Sequence, residues 1–208
     1  MKGKIILVSS VALAAFFVFL FMTLKVPKTG SLSNEQTAVL TQEQVNALRA
    51  AYPLHSGVPS FATMKMPSLQ DIIDRADTLL YAKVLGKIDP YEIEFSAGAL
   101  QRKDSFFGYD LEVIRDSAGK LKKGANVTVS ANAVIKELYP SLRKGMEIII
   151  PISKSSFKGK QYDFSSLGMF YVTDGGYAIS AYNMEDAIAK DGTHVSLLLK
   201  TLWGMKKK

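Results

Sequence analysis

Phe107-Gly-Tyr-Asp-Leu-Glu-Val113 decides the fold, because apolar Phe107, Tyr109, Leu111 and Val113 alternate with Gly108, Asp110 and Glu112. A period of two turns one set of side chains to a core and the other to solvent, which is the pattern of a strand with one wet face. The alternation returns downstream, where Val127, Val129 and Ala131 interleave with Asn126, Thr128 and Ser130. The glycines and lysines of residues 117–124 between them suit an exposed hairpin loop. Upstream, residues 78–88 are apolar on the Leu80, Ala82, Val84 and Ile88 face. Residues 146–152 are apolar on both faces and are expected to run through the core. Residues 169–173 and 177–182 flank Asp174-Gly-Gly176, a tight-turn signal that predicts a hairpin.

Helices bound this strand-rich stretch. Ser68-Leu-Gln-Asp71 reads as a capping box, and Leu69, Ile72, Ile73 and Ala76 mark one face of a short helix behind it. Val195, Leu198, Leu199, Leu202 and Trp203 form a single apolar stripe at helical spacing near the C-terminus. The fold expected is therefore β-rich α+β, with a domain at 68–205 built as a five- to six-stranded antiparallel OB-like barrel flanked by short helices. A domain of this length buries an adequate core without disulfides, and the chain has no cysteine.

Residues 5–24 are twenty uncharged positions, and at ~1.5 Å per helical residue they cover the ~30 Å of a bilayer's hydrocarbon core. They predict an N-terminal transmembrane signal-anchor over 1–24. A cleaved signal peptide needs a shorter apolar core ending at a small-x-small site; Ala12-Leu-Ala14 offers one, but cutting there leaves ten apolar residues as a new terminus. Lys2 and Lys4 are matched by Lys25 and Lys28, so the very short leader sets the orientation: N-terminus in the cytoplasm, domain outside. Residues 25–67 are polar and broken by Pro27, Pro53, Pro59 and Pro67. They read as a stalk, with one short helix signalled by the Thr41-Gln-Glu-Gln44 capping box followed by Val45 and Leu48. Residues 206–208 are a basic tail.

The net charge of +7 suggests nucleic acid until its location is considered. Residues 68–205 carry seventeen Lys and Arg against seventeen Asp and Glu, so the excess lies in the flanks. A neutral domain lacks the electrostatic footprint for a phosphate backbone, and nucleic acid is not an expected partner.

Several of these motifs occur together in one known group. Leu69-x-x-Ile-Ile73-x-x-Ala76-Asp77 leading into Ala82-Lys-Val84, then Tyr109-x-Leu-x-Val113, Lys122-Lys-Gly124, Leu142-x-Lys-Gly-Met146 and Gly168-Met-Phe170 span residues 68–182. The run resembles small membrane-anchored extracytoplasmic β-barrel (OB-like) proteins of Gram-positive bacteria, mostly uncharacterised. The resemblance implies the fold and the compartment, and carries no catalytic residue with it. The chain departs from the group before its third strand, where a longer lysine-rich loop replaces a direct Leu-Lys-Gly.

Catalytic and metal-binding patterns are thin. Val26-Pro-Lys-Thr-Gly30 resembles a sortase-recognition pentapeptide but follows an N-terminal span instead of preceding a C-terminal one. Thr63-Met-Lys-Met-Pro-Ser68 faintly echoes a signal-peptidase-like Ser/Lys hydrolase, yet threonine stands at the nucleophile position and Ser68 reads better as a helix cap. His55 and His194 have no liganding pattern around them, and Asp71, Asp74, Asp77 and Asp89, Glu92, Glu94 read as solvated faces. No cofactor is expected. Two basic loops remain: Lys120, Lys122 and Lys123, then Lys154, Phe157, Lys158, Lys160 and Tyr162. If both fall at one end of the barrel they form a basic, partly aromatic mouth for an anionic envelope polymer or a membrane-protein partner. The function expected is thus a membrane-tethered, non-enzymatic binding module. Its rivals are a membrane-tethered serine hydrolase and, for reversed topology, a cytoplasmic OB-like nucleic-acid binder.

Overall fold

The computed structural model describes residues 39–56, 67–97, 100–156 and 162–206. The apolar stretch at 5–24 lies outside the described residues. Among those described, no helix is long and apolar enough to cross a membrane.

The alternating stretch sits inside β3 (Leu100–Asp116), a 17-residue strand that pairs with three neighbours. β1 (Thr78–Lys87) lies antiparallel on one side of it, and its register shifts between Tyr81/Ala82 and Val84/Gly86. Such irregularities bend a strand and increase its twist, which lets a small sheet curl toward closure. β4 (Asn126–Asn132) lies antiparallel on the other side. The chain then makes a 3-10 helix (Ala133–Leu138) and continues into β5 (Glu147–Lys154), which pairs with β1 instead of β4. A short β6 (Tyr162–Phe164) fills the remaining gap, antiparallel to β5 and parallel to β4. These five strands close a barrel in the order β1-β3-β4-β6-β5 and back to β1.

That order departs from the all-antiparallel arrangement expected. The last strand enters between two strands that already run in opposite directions to each other, so it must be parallel to one of them. The barrel has the five strands expected, and among the described residues four further strands extend the sheet beyond it. β2 (Tyr91–Ala97) extends β3 as a ribbon, with Glu92 ion-paired to Lys103 across it at 2.5 Å. β7 (Phe170–Val172), β8 (Tyr177–Ser180) and β9 (Thr193–His194) continue the sheet outward from β5.

Two apolar cores share β5. Ile148, Ile150 and Ile152 face the barrel interior with Leu80, Val84, Leu111, Val129 and Leu142. Ile149 turns the other way, into a layer formed with Phe170, Val172 and Ala178. That layer is covered by α-helices, so β5 is buried on both faces, as its composition requires. Phe107, Tyr139 and Phe164 meet edge to face inside the barrel, Tyr139 lying 4.8 Å from Phe164 and 5.2 Å from Phe107. Truncating a side chain as enclosed as Leu111 removes about 2–5 kcal/mol.

The helices follow their sequence signals. α1 (Gln42–Leu48) and α2 (Leu69–Arg75) both start with complete capping boxes, at Thr41/Gln44 and Ser68/Asp71. A one-turn α3 (Glu185–Ile188) precedes β9, and α4 (Val195–Met205) buries Val195, Leu198, Leu199 and Leu202. Leu69, Ile73 and these leucines cover the outer face of β5, β7 and β8.

Residues 39–56 differ from the stalk expected of them. They pack on the domain as a strap, with Val45 buried and Leu40 N–H donating to the Gly192 carbonyl at 3.0 Å. Gly192 holds a φ of +77°, and a Cβ there would stand 2.9 Å from Leu40 Cβ, so only glycine admits the strap this closely. The Arg49 guanidinium donates to the Ser180 carbonyl at 2.6 Å and pairs with Asp191. Two backbone bonds follow, His55 N–H to Ala181 O at 3.0 Å and Asn183 N–H to His55 O at 2.9 Å. The folded unit thus begins upstream of Ser68.

Candidate functional site

Strand register decides where the lysine loops go. At the start of β1, Thr78 pairs with Ile152 and Leu80 with Asp116, so β5 and β3 both leave the barrel at this end. β6 enters there too, with Tyr162 opposite Lys154 and beside Val129. Lys120, Lys122, Lys123, Lys154 and Tyr162 therefore emerge at one end; the four lysines are exposed and Tyr162 is half-buried. Phe157, Lys158 and Lys160 lie outside the described residues.

A carboxylate holds the first of these loops in shape. Asp116 accepts from the backbone N–H groups of Ala118 at 3.0 Å, Lys120 at 2.7 Å and Leu121 at 2.7 Å, and from the Thr78 hydroxyl. Burial pushes the Asp116 carboxyl up, and the bonds from Thr78, Leu121, Ala118 and Lys120 outweigh it and hold the pKa below its ordinary value. Asp77 plays a similar part for the second loop, accepting from Lys154 N–H at 2.6 Å. The backbones of Lys120 and Lys154 are thus fixed while all four lysine side chains stay exposed. Asp163 on β6 lies beside them, its carboxyl pushed up by burial against one hydrogen bond from Ser155.

The other end of the barrel carries a cleft that no local sequence pattern announces. About 690 Å³ in volume, it is walled by Tyr52 of the strap, Tyr81 of β1, Arg143, Lys144 and Glu147 around the start of β5, and Asp174 of the β7–β8 turn. A second cleft of about 350 Å³ adjoins it, with Pro53, Leu54, His55, Pro140 and Tyr171 in its walls and Arg143 and Met146 common to both. Volumes of this size match ordinary ligand pockets.

Tyr52 lies at the centre of this end. Its ring is 5.6 Å from that of Tyr171, and its phenol is pushed up by burial and by Asp174 while Arg143 pulls it down. Tyr171 is raised by burial, against the pull of Arg49 and Arg143. Tyr81 donates to Glu147, and burial together with that carboxylate drives its phenol far above the usual range. Among the described residues, Arg143, Lys144 and Asp174 make no ion pair.

Compared with models of known protein families and with curated proteins, the chain matches none. Its chemistry must therefore be read from geometry. Ser68 caps α2, accepting from Asp71 N–H at 3.1 Å and donating to the Asp71 carboxylate at 2.7 Å, so its hydroxyl is engaged structurally. His194 caps α4 through Ser196, and the His55 ring is bonded to the Glu137 carbonyl. No group of three or more His, Asp or Glu among the described residues is arranged to hold a metal ion.

Proposed function

We propose that this chain is a membrane-tethered, extracytoplasmic binding module that holds an anionic envelope polymer at the lysine-bearing end of an OB-type barrel, without catalysis. The observation that carries the reading is the gathering of both basic loops at one end, with Asp116 and Asp77 fixing their backbones. Several exposed cations on a rigid frame suit a repeating anion, which gains from each contact without losing much loop entropy.

The OB reading is supported by the strand order, by the parallel β4–β6 pair and by the 3-10 helix between β4 and β5, whose following residue Tyr139 packs into the barrel. The tether is supported by the length and apolarity of residues 5–24. The resemblance of residues 68–182 to the small Gram-positive extracytoplasmic barrels points the same way.

Retention of the full chain on purified Gram-positive cell wall tests the reading. Replacing Lys120, Lys122, Lys123 and Lys154 by Gln is expected to weaken retention and flatten its dependence on salt. Unchanged retention would overturn it.

A further inference from the structure

We propose that the cleft walled by Tyr52, Arg143, Lys144, Glu147 and Asp174 is a second binding site, for a short peptide bearing one carboxylate and one ammonium group. It stands apart from the lysine-bearing end by the length of β5, eight residues or roughly 25 Å. The two sites are therefore separate in space and in chemistry, and neither proposal depends on the other.

The lining names the ligand class. Arg143 and Lys144 bring two cations to the cleft, Asp174 brings a carboxylate from the β7–β8 turn, and Glu147 adds a second that already accepts from Tyr81. Arg143, Lys144 and Asp174 have no ion pair within the described chain, so their charges are available to a ligand. Tyr52 lines the same cleft, with its hydroxyl within electrostatic reach of both Asp174 and Arg143. A purely anionic ligand would be repelled by Asp174, and a purely cationic one by Arg143. A molecule with both charges, a few bonds apart, meets both signs.

Shape favours a chain over a compact ligand. The two clefts join at Arg143 and Met146, and the second is walled by Pro53, Leu54, Pro140 and Tyr171. The resulting track runs from apolar walls, past the Arg143 cation, to the Asp174 carboxylate. A short peptide carrying an apolar residue, a carboxylate and an ammonium group meets all three. Because Tyr52, Pro53 and Leu54 belong to the strap, the site exists only while the strap is docked.

The test is a titration of the ¹⁵N-labelled full chain in detergent micelles with N-acetyl-Ala-Lys-Ala carrying a free C-terminal carboxylate. Saturating shifts are expected at the backbone amides of Gly145, Thr173 and Gly176, with the rest of the spectrum still. The C-terminal amide of the same peptide, and the peptide with norleucine for lysine, should each bind roughly tenfold more weakly. Arg143→Gln should weaken the free-acid peptide by a similar factor and leave the amide unaffected; Asp174→Asn should do the same for the lysine against norleucine comparison. Absence of saturable shifts up to roughly 10 mM, or equal binding of acid and amide, would overturn the proposal. Neither outcome touches the retention assay on cell wall, which reads the opposite end.

Discussion

The two ends of the barrel are built by opposite routes. At one end a single carboxylate, Asp116, gathers the backbone of a contiguous loop and leaves Lys120, Lys122 and Lys123 in water. At the other, Tyr52, Tyr81, the Arg143–Glu147 segment and Asp174 come from distant parts of the chain and line one cleft. At the first end carboxylates are spent on shaping loops and the cations are left to solvent; at the second, charges of both signs line one cleft. A local loop can be redesigned without disturbing the fold, whereas the cleft is only as stable as the contacts that hold its separate walls together.

The sharpest way to break this contrast is to release the strap. Asp191 is only 6% exposed, and Arg49→Met leaves it buried without its cation. The expected cost is about 3 kcal/mol in denaturant unfolding, with loss of the Tyr52 wall and no change in wall retention at the lysine end. Burial already raises the Asp191 pKa, against the opposing effects of the Ser180 N–H and Arg49. A raised carboxylate makes the folded state bind more protons, so its contribution to stability is greatest below the unfolded pKa and falls as pH rises through the folded one. Removing Arg49 raises it further, and the variant's deficit should therefore shrink between pH 7 and pH 4.

Asp116→Ala breaks the other end. Four donors lose their acceptor, and the expected loss is about 2 kcal/mol, together with faster amide exchange at Lys120 and Leu121. The sign of the pH effect is reversed here. A depressed carboxylate contributes stability above its unfolded pKa and loses it as pH falls through the folded one. Asp116→Asn should therefore lack the part of the wild-type acid limb that lies below about pH 4.

Gly192→Ala probes the strap through its backbone alone, leaving every charge in place. The positive φ and the 2.9 Å approach to Leu40 predict a cost of about 1 kcal/mol or somewhat more, with shifts confined to residues 39–56 and the β8–β9 region. The smallest effect on stability belongs to the joint replacement of Lys120, Lys122 and Lys123 by Gln. Because Asp116 holds the loop through its backbone and the three lysine side chains are solvated, unfolding should change by within about 0.5 kcal/mol, although salt-dependent retention falls.

What the sequence makes legible follows the same division. β1, β3, β4 and β5, the turn at Asp174-Gly-Gly176 and both capping boxes stand out because each rests on a period or spacing of a few residues. Tyr91-Glu-Ile-Glu-Phe95 alternates as clearly, but its acidic positions read as a solvated face until Lys103, opposite Glu94, pairs diagonally with Glu92. The three residues of β6 carry no signal of their own; they are a strand because β4 and β5 leave a gap. The Val45 and Leu48 spacing reveals a helix without revealing that it docks, since docking depends on Arg49 meeting Asp191, 142 positions away. The lysines could be nominated from the chain. The cleft residues could not, because nothing local links Tyr52 to Arg143.

The fastening of residues 39–56 also sets a load path. Tension on the chain upstream of Val39 reaches the domain first at the bond between Leu40 and Gly192, then at the grip of Arg49 on Ser180 and Asp191, and last at the two bonds around His55. Those attachments are few and lie on the outer sheet, while the barrel strands are stitched by continuous ladders on either side. A pull would therefore strip Tyr52 from Tyr171 and open the cleft while the barrel is still intact, so that this end of the molecule yields to strain before the other does.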